Sequence, residues 1–237
     1  MKTGNAPPGG AAAASGRLLA KLALDLVMTL LIILEYAYDF TGGIVHEVIG
    51  IGLLSLFVVH AVINRKWFMA FFKGKYGVKR AVNTVVNLLV LGVVLVLLCS
   101  GLLNASLIEM LFHFKWGFST RSVHSVAGYW FLLFMAFHLG MHWTMVLSEC
   151  RRRLGRIGNP KWGEVFVLRV AAAAILIYGG FAAVRQDILS RMLADYSFSY
   201  WDDSAVVSYF IDFISLLGAM TVLAHSLRAC LWNRRSS

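Results

Sequence analysis

The sequence predicts an all-α integral membrane protein, built as a bundle of six transmembrane helices. Of the 237 residues, 59% are hydrophobic and only 14% are charged, and the mean hydropathy is +0.72. Apolar runs of about 20 residues, each long enough to cross a bilayer, recur along the chain. The predicted spans are residues 20–38, 44–63, 82–103, 122–147, 164–184 and 205–227.

The net charge of +10 is concentrated at the C-terminus and in alternate loops. Because cytoplasmic loops of membrane proteins are enriched in Lys and Arg, this placement predicts that both termini are cytoplasmic. The charge is therefore interpreted as a topology signal rather than as a nucleic-acid-binding surface. The basic clusters are Arg65, Lys66, Lys73, Lys75, Lys79 and Arg80 after the second span, Arg151, Arg152, Arg153, Arg156 and Lys161 after the fourth, and Arg228, Arg234 and Arg235 at the end.

The predicted spans account for most of the chain, which indicates one membrane domain over residues 18–231 with its functional core at 44–147. Residues 1–17 are rich in Gly, Ala and Pro and are predicted to be a disordered tail. Residues 232–237 form a short C-terminal tail. The sequence contains no Cys-x-x-Cys-His motif, so covalent haem attachment is not predicted.

Two pairs of histidines lie inside predicted spans, His46 with His60 and His124 with His138, and each pair is 14 residues apart. Fourteen residues turn an α-helix by about 1400°, so both members face the same side, about 21 Å apart along the axis. The second and fourth spans are parallel in the predicted topology, so His46 would face His124 near the outer surface and His60 would face His138 nearer the cytoplasm. Neutral imidazole is a suitable axial ligand for iron. The geometry therefore predicts two haem b groups, each ligated by two histidines.

The two spans also share the pattern H-x3-G-x9-H, with Gly50 and Gly128 one turn after the first histidine. A glycine at this position lies on the histidine's face and lets a flat macrocycle or a neighbouring backbone approach closely. Gly50 and Gly128 are therefore predicted to line the haems, with ordinary small-residue helix packing as the alternative.

Two further residues are predicted to contribute to cofactor binding. His142 follows His138 by four residues and could replace it as a ligand, bond a propionate or help to bind a quinone. His138 is preferred because its level matches that of His60. Arg121, three residues before His124, is placed to bond the propionates of an outer haem, or serves only to set the topology.

The first predicted span contains charged residues. Lys21 and Asp25 are four residues apart, so we expect an ion pair between them at the inner boundary. Glu35 lies near the outer end of the span, where we expect it to reach water.

The runs HEVIGIGLLSLFVVHAVINRKWF and SVHSVAGYWFLLFMAFHLGMHW, with Ser100–Gly101 between them, resemble a bacterial family, the flavinylation-associated membrane cytochromes. The resemblance covers roughly residues 20–150, and the last two spans add no recognisable motif. It implies a di-haem b-type cytochrome of the bacterial cytoplasmic membrane, with the four paired histidines as ligands. It also implies an extracytoplasmic redox partner, which could carry a flavin.

The sequence thus favours transmembrane electron transfer from a quinol or a cytoplasmic donor to an extracytoplasmic partner. The chain would act as an electron-transfer subunit of an oxidoreductase system rather than as a stand-alone enzyme. Two alternatives stay open. One is a histidine-based metal-ion or proton transporter, in which His138 and His142 hold Zn²⁺. The other is a membrane anchor subunit of a soluble dehydrogenase.

Overall fold

The computed structural model describes residues 8–113, 117–156, 158, 161–194 and 205–233, and this part of the chain is helical, without a β-strand. The all-α prediction is confirmed. The chain divides into two compact units, residues 1–74 and 75–237. The sequence predicted a single membrane domain, and the boundary at Gly74 falls within its predicted core.

The first unit is a helical hairpin followed by a short helix. Helix α1 begins at Pro8, inside the segment that the sequence predicted to be disordered, because a run of alanines at 11–14 favours a helix and Pro is tolerated in the first helical turn. Residues 1–7 of that predicted tail lie outside the described residues. The helices are α1 (Pro8–Tyr36), α2 (Tyr38–Ile63) and α3 (Arg65–Ala70).

One glycine interrupts the start of α2. Gly42 has φ 76° and ψ 168°, a backbone conformation that favours glycine, so the first turn of the helix is offset from the rest. His46 and His60 both lie beyond this break, within one continuous helical stretch. His46 and His60 therefore lie on the same side of α2, as their 14-residue spacing predicted.

The second unit is a row of four long helices. Helix α6 packs against α4 and α9, and α9 packs against α7. Of the predicted C-terminal tail, residues 234–237 lie outside the described residues. The helices are α4 (Val78–Asn104), α5 (Ser106–Phe112), α6 (Phe118–Arg153), α7 (Trp162–Arg185), α8 (Ile188–Met192) and α9 (Val206–Asn233).

Five helices of the described chain, α2, α4, α6, α7 and α9, are long and apolar enough to cross a membrane. They coincide with the second to sixth predicted spans, and the chain is a multi-pass membrane protein. Helix α1 covers the first predicted span but is not one of the five, and Lys21, Asp25 and Glu35 lie along it. A sixth span and the cytoplasmic position of the termini stay predictions.

Helices α6, α7 and α9 approach one another at glycines. A Cβ on Gly140 of α6 would lie 2.6 Å from Cβ of Ala224 in α9. A Cβ on Gly179 of α7 would lie 2.5 Å from Cβ of Ala219, also in α9. Small residues let membrane helices pack backbone to backbone, where dispersion attraction replaces the missing hydrophobic effect. These glycines therefore set the distances of α9 from its two neighbours.

A buried carboxylate joins α7 to α9. Asp212 is 0% exposed, and its two oxygens accept hydrogen bonds from Arg185, Tyr178 (3.1 Å) and Gln186 (2.7 Å). A charged group in an apolar environment is costly unless it is paired and hydrogen-bonded. Asp212 meets both conditions, which explains how a carboxylate is accommodated within the sixth predicted span.

The neighbouring glycines Gly179 and Gly180 offer a matched test of this packing. Replacing Gly179 with Ala should destabilise the protein by about 1–3 kcal/mol, because the new methyl group overlaps Ala219. An added Cβ on Gly180 meets no described atom within 4 Å, so Gly180→Ala should stabilise α7 by roughly 0.5–1 kcal/mol. The unfolding midpoints of both variants in detergent provide the measurement. Equal midpoints would contradict the close contact at Gly179.

Candidate functional site

The two histidines of α2 contact carboxylates on α1. Nδ1 of His60 lies 2.8 Å from Oδ1 of Asp25, and Nδ1 of His46 lies 2.5 Å from Oε2 of Glu35. The residue nearer the start of α1 meets the histidine nearer the end of α2, so the two helices are antiparallel. A carboxylate accepts hydrogen bonds only. Both contacts therefore favour a proton on Nδ1 of the imidazole.

The contact at His46 is close but not linear. Nδ1 of His46 and Oε1 of Glu35 are buried, and the short Nδ1–Oε2 contact lacks the alignment of a full hydrogen bond. The ring of Tyr38 packs edge-on against the imidazole, with centroids 5.2 Å apart. Glu35 is 16% exposed, so the expectation that it simply reaches water is wrong.

The residues around His60 do not form the ion pair that the sequence predicted there. Lys21 donates to Oδ1 of Asn64 at 3.2 Å, and Asp25 contacts His60, so the predicted Lys21–Asp25 pair is wrong. Asn64 also places Nδ2 3.3 Å from Nε2 of His60. An amide N–H next to Nε2 agrees with a lone pair on that nitrogen, and this weak contact would have to open for Nε2 to bind a metal.

The outer histidine of α6 contacts α4. Ser100 is 5% exposed and its hydroxyl donates to the Val96 carbonyl oxygen at 2.6 Å. The same oxygen lies 3.0 Å from Nδ1 of His124. A hydroxyl has one hydrogen to donate, so Ser100 accepts the Nδ1–H of His124. A Cβ on Gly101 would lie 3.1 Å from Cε1 of His124, and this glycine makes room for the ring.

The second histidine of α6 has an amide partner. Oδ1 of Asn87 lies 3.0 Å from Nδ1 of His138, and an amide oxygen accepts, so this Nδ1 also carries a hydrogen. The ring of His142 lies beside that of His138, with centroids 4.9 Å apart. The sequence correctly placed the two rings on one face, and Asn87 holds the ring of His138 from α4.

All four paired histidines have a side-chain partner at Nδ1, and each partner favours the tautomer with its hydrogen on that nitrogen. In each case a side chain from the preceding long helix of the same unit lies at Nδ1, which leaves Nε2 as the nitrogen with the lone pair. Metal-binding histidines usually have this arrangement, because the partner at the distal nitrogen fixes the tautomer and orients the ring. The partners are Glu35 for His46, Asp25 for His60, Ser100 for His124 and Asn87 for His138.

The two units repeat one design. In each, two partner residues on one helix meet two histidines on the next helix, which runs antiparallel to it. Asn87 and Ser100 are 13 residues apart on α4, which nearly matches the 14-residue spacing of the histidines. The units differ in charge, since both partners on α1 are carboxylates and both on α4 are neutral.

Sequence reasoning missed these four partners, although a signal was present. Polar and charged side chains inside a membrane span are costly, and they usually face a partner or a functional site. Asn87 and Ser100 lie in the membrane-spanning helix α4, and Asp25 and Glu35 lie in the first predicted span. Their assignment to particular histidines required the pairing of the helices.

Three other predicted site residues, Gly50, Gly128 and Arg121, have surroundings that do not assign them a role in cofactor binding. Gly50 is half-buried, and an added Cβ there would meet no described atom within 4 Å, so it leaves open space one turn from His46. Gly128 is also half-buried. Arg121 is exposed and makes no hydrogen bond or ion pair with the described residues. The sequence-based roles of these three residues stay predictions.

An apolar groove lies between α4 and α6 next to His124. Its volume is about 460 Å³, and its walls include Val93, Val96, Val123, Trp130 and Phe134. Such a surface suits a hydrophobic ring or chain. Among the described residues, no three His, Cys, Asp or Glu side chains converge as a set of metal ligands.

No family model matches the chain, no curated protein is significantly similar to it, and no solved structure matches its fold. The resemblance to the flavinylation-associated membrane cytochromes therefore stays a prediction that rests on the quoted runs.

Proposed function

We propose that this protein is a transmembrane electron carrier that binds two haem b groups non-covalently. The observation that carries the proposal is a side-chain oxygen 2.5–3.0 Å from Nδ1 of each of His46, His60, His124 and His138. Four imidazoles with Nδ1 held by a protein partner and Nε2 bearing the lone pair are the donor set that bis-histidine haem ligation requires.

In this proposal, His46 and His124 ligate the outer haem, and His60 and His138 ligate the inner one. Haem iron supplies one-electron redox chemistry when it is bound. The chain's own residues orient the ligands through Nδ1, hold them at two levels about 21 Å apart along each helix and keep them in an apolar environment. Arg121 would neutralise propionates at the outer level.

The finer parts of the proposal concern topology and partners. The positions of the basic clusters support cytoplasmic termini, and the first apolar run supports a sixth span. A bacterial inner membrane is what the family resemblance implies. Electrons would enter from a quinol or a cytoplasmic donor and leave to an extracytoplasmic redox protein, which the family resemblance associates with flavin. The groove beside His124 has the apolar character that a quinone ring needs.

Single substitutions of the ligands test the assignment. His60→Ala and His138→Ala should each lower the haem content from two to one per chain, because each removes one ligand of the same inner haem. His46→Ala and His124→Ala should do the same for the outer haem. The pyridine haemochromogen assay of each purified variant gives the count.

The control is His113→Asn, since His113 is exposed at φ 52°, a conformation that Asn tolerates. This variant should keep both haems. Two haems in both His60→Ala and His138→Ala would overturn the pairing. Loss of a haem in His142→Ala but not in His138→Ala would show that the ligand is His142, one helical turn further along α6. Stoichiometric zinc without haem would instead support the metal-transport alternative.

The carboxylate at His60 should lower the potential of the inner haem. A carboxylate that accepts Nδ1–H makes the imidazole a stronger donor and favours ferric iron, so Asp25→Asn should raise one of the two midpoint potentials. A redox titration followed at the haem absorption bands measures both.

Asp39→Asn is the matched control, because it removes the same charge from an exposed position of the same unit. Its titration should overlay that of the wild type. An unchanged potential in Asp25→Asn, with two haems retained, would contradict the role of Asp25 without contradicting haem binding.

A further inference from the structure

Helix α7 carries two arginines with contrasting surroundings. Arg185, at its end, binds the buried carboxylate of Asp212. Arg169 lies within the apolar part of the helix, is exposed, and makes no hydrogen bond or ion pair with the described residues. An unpaired cation on the outer surface of a membrane-spanning helix is costly unless a counter-charge reaches it.

The nearby protein carboxylate is already used. Glu164, five residues before Arg169, accepts from Arg151 at 2.6 Å and from Arg156 at 3.1 Å. Glu164 is therefore not the counter-charge of Arg169.

The position of Arg169 favours a lipid phosphate. By helix rise, α7 is about 36 Å long and Arg169 lies about 10 Å from Trp162. A hydrocarbon core about 30 Å thick and centred on α7 would place the Cα of Arg169 roughly 7 Å inside it. Helical side chains lean toward the N-terminus, and arginine extends its stem along apolar surface. The guanidinium can therefore reach the headgroup layer at the start of α7.

Two aromatic residues share this face. Trp162, Phe166 and Arg169 are spaced by four and three residues and lie on one side of the helix. Trp162 is 81% exposed, Phe166 is 54% exposed, and their rings stack with centroids 5.6 Å apart. Exposed aromatic residues at a helix end are typical of the membrane interface. The aromatic pair therefore indicates, independently of Arg169, that the start of α7 lies at the membrane interface.

We propose that Trp162, Phe166 and Arg169 form a binding site for one anionic phospholipid. Arg169 would bond the phosphate, and the aromatic pair would pack against the glycerol region and the first acyl carbons. The proposal depends on the membrane-spanning character of α7 and not on haem.

The test is native mass spectrometry of the full chain, exchanged into an equal mixture of phosphatidylglycerol and phosphatidylcholine with identical acyl chains. The wild type should retain phosphatidylglycerol preferentially. Arg169→Gln should lower that preference about five-fold, since one cation at an anionic lipid surface contributes about 1 kcal/mol. Arg169→Lys should keep most of it.

Lys66→Gln provides the control, because Lys66 is also basic and exposed but lies in α3. It should lower the preference less than Arg169→Gln does, and an equal loss in both variants would show a general surface-charge effect and overturn the proposal. An unchanged preference in Arg169→Gln would overturn the proposal. Retention of inorganic phosphate in place of lipid would show a free-anion site and overturn it, as would a co-purified protein that Arg169→Gln releases.

Discussion

The candidate site depends on which nitrogen of each of four imidazole rings carries the hydrogen. A neutral histidine can carry its hydrogen on either nitrogen, and only the unprotonated nitrogen binds iron. At each of His46, His60, His124 and His138, a partner at Nδ1 favours the tautomer that leaves Nε2 unprotonated. Without those partners, the 14-residue spacing would align the rings but would leave their chemistry undefined.

The partners also explain polar residues that would otherwise be costly in apolar helices. Asp25, Glu35, Asn87 and Ser100 each meet a histidine of the same unit, as Asp212 meets Arg185 elsewhere in the second unit. Burial of a polar group is tolerated when its hydrogen-bonding capacity is used. The two units differ in charge, since carboxylates support His46 and His60 whereas neutral groups support His124 and His138.

Part of this architecture could be predicted from sequence alone. The apolar runs located five membrane helices, and the histidine spacing correctly predicted that His138 and His142 share a face, since both follow from helix periodicity. The pairing of Asp25 with His60 rather than with Lys21 could not be predicted, because contacts four residues apart compete with contacts between helices. The start of α1 at Pro8 was also not predicted, because residues 1–17 have a composition typical of disorder but include an alanine run that favours a helix. The boundary near Gly74 lies in a basic loop between two predicted spans, and the sequence does not distinguish this loop from the other basic loop, which joins helices of one unit.

The haem content of the purified wild-type chain tests the proposal that this protein binds two haem b groups. The protein should be expressed with an ample haem supply, checked for folding by circular dichroism, and examined by a reduced-minus-oxidised absorption spectrum with haem counted per chain. We expect sharp b-type bands and two haems per chain. Folded protein without haem would contradict it.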